Sequence, residues 1–148
     1  MMRTVAMVLA LAAALPAALP AQDKEVIRLP GSLEGLPFSS AVRVGDIIYL
    51  SGQIGVLPGT TELVDGGIGP ETRQTMENIR QVLEYAGSAL DRVIKCTVFL
   101  ADIADYPAMN EVYRGFFPGY PPARSALAAS GLALGAEVEI ECIALSGK

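Results

Sequence analysis

Along residues 136–145, Glu137, Glu139 and Glu141 fall on one side of an extended chain, Val138, Ile140, Cys142 and Ala144 on the other. Successive side chains of a strand point to opposite faces, so this segment belongs in a sheet with one face turned to a core. Helices elsewhere supply the cover. The clearest spans residues 70–85, where Met76, Ile79, Val82, Leu83 and Ala86 recur at helical spacing and Gly87 can close the last turn in the left-handed region. A second is expected over residues 105–117, with Asp105 as its cap and Pro107 in its first turn. Its apolar face is Met109, Val112, Tyr113 and Phe116, and Pro118 stops it.

Short β-branched or alternating runs predict the other strands: residues 24–29 at an edge, 41–44 and 46–54 around Gly45, 92–100, and 122–129. Residues 57–69, rich in Gly, Pro and Thr, read as a loop. The Gly66–Gly67–Ile68–Gly69 run within it lacks the spacing of a phosphate cradle. Strands, helix, strand, helix, strands is the pattern of an α+β or α/β sandwich, one sheet covered by two helices.

Residues 1–21, MMRTVAMVLALAAALPAALPA, have the layout of a secretory signal peptide: Arg3, an uncharged apolar run, and small residues before the first acid, Asp23. The run is shorter than the ~20 residues of a membrane span, and Pro16 interrupts it. The expectation is cleavage after Ala21, a single domain over residues 22–148, export to the periplasm or outside, and no stable membrane span afterwards. Removing Arg3 takes the net charge from −5 to −6. An acidic chain repels phosphate backbones, so no nucleic-acid partner is expected.

The chain has no histidine and two cysteines. That excludes a Ser-His-Asp triad, a Cys-His pair and a four-thiolate metal site, and no metal is expected. Cys96 and Cys142 lie on the apolar-patterned sides of two predicted strands, the first beside Ile94 and Val98. Because cross-strand bridges demand narrow geometry, they are expected as two small buried hydrophobes rather than a disulfide.

Between Gly115 and Ala136 the 22 residues carry one charge, Arg124. A guanidinium among small and apolar neighbours must find an anion, since leaving it unpaired and desolvated costs several kcal/mol. The commoner outcome is an internal ion pair with a glutamate. The functional one is an anchor for an anionic ligand, because the planar fork matches a carboxylate or phosphate.

The stretches GDIIYLSGQI (45–54), ETRQTMENIRQVLEYAG (71–87), VIKCTVFLADIADYPAMNEVYRGFFPG (93–119), PPARSALA (121–128) and VEIECIAL (138–145) together resemble the RidA/YjgF family of reactive imine/enamine deaminases. The resemblance implies a chorismate-mutase-like α+β sandwich and a homotrimer with ligand sites between subunits. It implies that Arg124 grips the carboxylate of a 2-imino acid or its enamine tautomer, such as 2-aminoacrylate or 2-iminopropanoate. Glu139 then places the attacking water as a general acid/base. Ser51, Gly52, Asn110 and Tyr113 match substrate-site positions. Two positions depart from the family pattern: Phe38 replaces a tyrosine and loses its hydroxyl, and Ala126 replaces a cysteine and enlarges the pocket. Water adds to the imine, and a 2-keto acid and ammonia leave, with no cofactor. The alternative from another class is a non-catalytic or holdase-like protein that binds a small carboxylate in the same cleft.

Overall fold

The computed structural model describes residues 23–147, so the expected signal peptide lies outside the described residues. Strands β1 (Lys24–Ile27), β2 (Ala41–Val44) and β3 (Ile47–Leu50) form an antiparallel meander. Val44 faces Ile47, so Gly45 and Asp46 make a two-residue turn, and Gly45 supplies its positive φ of 57°. The sheet continues through β7 (Val138–Leu145) and β5 (Val93–Leu100) to the edge strand β6 (Ala123–Ala128). The two-residue β4 (Gln53–Ile54) also pairs with β7. All pairings are antiparallel except β5 with β6. Parallel neighbours need a crossover, and helix α2 (Tyr106–Arg114) provides it.

Helix α1 (Ile68–Tyr85) lies beside α2, and both cover one face of the sheet. The expected stripe from Met76 to Ala86 is buried there with Met109 and Tyr113, against Ile48, Leu50, Val98, Val138 and Ile140. The opposite face is left open by the described residues. Strand pairing aligns Val26, Val42, Tyr49 and Ile143 as one row across it, and a second row runs Leu127, Phe99, Glu139 and Ile54. Val26, Tyr49 and Leu127 are exposed apolar side chains on that face.

The expected α+β sandwich of one mixed sheet and two helices is therefore the observed architecture, with local corrections. Helix α1 starts two residues early, because Gly67, at φ 81°, turns the chain and its carbonyl accepts from the Glu71 N–H at 3.1 Å. Helix α2 ends at Arg114, so the inward residue after Tyr113 is Phe117, with Phe116 half-buried. Asp105 makes no side-chain cap; Asp102 caps the preceding short turn by accepting from Ala104 N–H at 2.8 Å. Ile94 is 43% exposed, because a bulge between Val93 and Lys95 turns it off the apolar side. Cys96 and Cys142 form a disulfide. They stand directly opposite in the β5–β7 ladder with Cα atoms 4.1 Å apart, a register that residues 46 apart in sequence do not reveal.

Candidate functional site

The predicted site residues fall into two groups on opposite sides of the sheet. The first is built around an irregularity. Tyr49 faces Ile143 on β7, whereas Gln53 faces Ile140, so four steps along one strand match three along its partner. The extra residue lies at Ser51–Gly52 and separates β3 from β4, where residues 46–54 read as one strand in the sequence. Ser51 donates its Oγ–H to the Ser39 carbonyl at 2.6 Å, tying the kink to the loop that carries the exposed Phe38. At Gly52 the backbone passes directly under Glu139: a Cβ built on Gly52 would collide with Glu139 Oε1. Glycine is required here for close approach, not for its dihedral freedom.

Glu139 is half-buried, and its carboxyl is pushed above the usual carboxylate range, first by desolvation and then by repulsion from Glu141. A carboxyl so tuned takes up a proton closer to neutrality, which suits general acid/base work. Glu137 lies near Gly67, and its backbone N–H donates at 2.9 Å to Glu71, a buried carboxylate that sequence patterning did not single out. That contact ties the first turn of α1 to the entry of β7 and is structural.

The second group sits on the helix-covered side of the edge strand β6. Arg124 is half-buried, and its Cζ lies 4.7 Å from the Tyr113 ring centroid and 5.5 Å from that of Tyr106. Arg124 Nη2 donates to the Tyr106 hydroxyl at 3.0 Å. The two ion pairs among the described residues, Arg43–Glu25 and Arg80–Glu77, leave Arg124 without a carboxylate. The internal ion pair is therefore not formed, and the guanidinium keeps capacity for an outside anion.

Burial raises the Tyr113 phenol to about 12, against the opposing pull of Arg124, and its hydroxyl has no partner among the described residues. The Asn110 side chain one helical turn away, followed by the charge of Arg124, lowers the Tyr106 phenol below its usual range. Ala126, two residues along β6, lines a cleft of about 430 Å³ with Ile103, Ala104, Tyr106 and Pro107. Tyr106 is the site residue that the sequence analysis missed. Its signal was its position four residues before Asn110 on the same helix face.

Register shows how the two groups relate. Arg124 pairs with Cys96, a core residue of β5, so it points to the helix side. Glu139 pairs with Phe99, between the core residues Val98 and Leu100, so it points to the open side. One copy of the chain thus presents Ser51, Gly52 and Glu139 on one face and Arg124, Tyr106, Asn110, Tyr113 and Ala126 on the other, with Phe38 exposed in the loop tied to Ser51.

This topology defines an α+β sandwich carrying two separated groups of candidate site residues. The family model described as Endoribonuclease L-PSP matches residues 33–146. A mouse 2-iminobutanoate/2-iminopropanoate deaminase is 43% identical over 111 residues, 75% of this chain and 82% of its own length. The human protein of the same name is 41% identical over 120 residues, covering 81% and 86%. Among solved structures, the YyfA protein of the conserved Rid family from Yersinia pestis superposes with a TM-score of 0.78 at 40% identity, over 83% of this chain and 99% of that one. The chain belongs to the RidA/YjgF family.

Proposed function

We propose that the protein hydrolyses reactive 2-imino acids and their enamine tautomers to 2-keto acids and ammonia. The observation that carries this is Arg124: a half-buried cation stacked on Tyr113, beside a cleft, with no ion-pair partner among the described residues. The names of the mouse and human relatives support the same chemistry.

Arg124 binds the substrate carboxylate through two parallel charge-assisted hydrogen bonds of ~1.5–3 kcal/mol each. The imine nitrogen, once protonated, makes its carbon electrophilic. Glu139 takes a proton from water as the oxygen attacks that carbon, giving a carbinolamine. It returns the proton to nitrogen and, a carboxylate again, takes the hydroxyl proton as the C=O forms and the C–N bond breaks; that proton then passes to the departing ammonia, which leaves as ammonium. No electron is transferred.

Both groups act on one molecule only if two copies of the chain meet, the open face of one against the β6 edge of the next. We therefore assign a homotrimer with sites between subunits, a reading supported by the exposed apolar residues Val26, Tyr49 and Leu127. We also assign export, from the leader-like residues 1–21 and the Cys96–Cys142 disulfide, a bond that persists in oxidising compartments.

Purified protein is expected to speed ammonia release from imino acids generated in situ by an amino-acid oxidase. Arg124→Ala should lower kcat/KM by ~10²–10⁴-fold. An unchanged rate in the variant rejects the assignment. Tight binding of a 2-keto acid with no acceleration by the native protein would favour the non-catalytic alternative.

A further inference from the structure

A guanidinium on a long side chain grips an anion well only if its plane is set beforehand, because each rotor frozen on binding subtracts from affinity. Three contacts set the plane of Arg124. Tyr113 lies against it, Tyr106 flanks it, and the Tyr106 hydroxyl accepts from Nη2 at 3.0 Å. The Tyr106 phenol thus links α2 to β6 through the guanidinium. Arginine carries five N–H donors in a rigid fork, and this contact occupies one of its two terminal nitrogens.

We propose that Tyr106 is a positioning residue for the anion grip, fixing the Arg124 guanidinium so that its free edge meets a ligand carboxylate. The inference rests on the reading of Arg124 as the carboxylate anchor. The ligand class follows: small acids whose carboxylate reaches Arg124 while the remainder lies toward the cleft lined by Ile103, Pro107 and Ala126.

The carboxylate is bound alike in ground state and transition state, so losing the phenol oxygen should cost binding rather than turnover. Tyr106→Phe keeps the ring and removes only the hydroxyl. The expected result is a rise in KM of ~5–10-fold with kcat within ~2-fold of the native value. The dissociation constant of 2-oxobutanoate, measured by calorimetry, should rise by the same factor, and that of the neutral 2-oxobutanamide should not change. Unchanged constants in Tyr106→Phe overturn the proposal, as does an equal loss for acid and amide, which marks a merely structural role. If the native protein binds 2-oxobutanoate through Arg124 without releasing ammonia, the deaminase reading fails while the Tyr106 comparison still decides this one. A native protein that binds no 2-oxobutanoate overturns both.

Discussion

Gly52 and Glu139 show how a residue without a side chain sets the position of a reactive one. The Glu139 carboxylate occupies the space a Cβ on Gly52 would need. Gly52→Ala is therefore expected to displace the carboxylate and lower kcat by at least ~10-fold, with the circular dichroism spectrum unchanged. Native kinetics in this variant would mean that Glu139 does its work from another rotamer. Arg124 was legible in the sequence because it is the one charge in an uncharged stretch, and the alternation of 136–145 marked Glu139 as facing away from the core. Tyr106 was legible only through Asn110, four residues on along the same helix: nothing else local distinguishes an exposed aromatic in a first helical turn from one placed beside an arginine eighteen residues on. Glu71 was hidden too, since its partner is a backbone N–H sixty-six residues away.

Strand and helix boundaries were readable where periodicity was strong, as along α1 and β7. They were misread where a single residue changes register. The bulge at Val93 and Lys95 turned Ile94 outward, and the extra residue at Ser51–Gly52 cut one predicted strand in two. Neither insertion alters the hydrophobic pattern enough to be seen without the partner strand. The same dependence on pairing hid the disulfide that bolts β5 to β7. Closing a loop between residues 46 apart, the bond should contribute ~2–4 kcal/mol. Urea denaturation with and without reductant checks this, and a Cys96→Ala/Cys142→Ala variant should match the reduced protein. Equal midpoints for native and reduced protein would show that the bond adds no stability.

One sheet, covered on one side by two helices and bare on the other, was foreseeable from the order of elements and the alternation of β7. The separation of the two half-sites by that sheet was not, because it depends on which strands of the final order are neighbours. It leads to a complementation test. Arg124→Ala and Glu139→Gln proteins should each be inactive alone. Unfolded together and refolded as a mixture, they should recover activity in roughly a quarter of sites, where an intact carboxylate of one chain meets an intact arginine of the next. No recovery would place both groups in a site made by one chain. In the assembly proposed above, a sheet standing between acid and cation also makes chemistry a collective property. Thinned below the concentration at which its copies hold together, the folded protein would fall silent with every residue in place, and crowding alone would wake it.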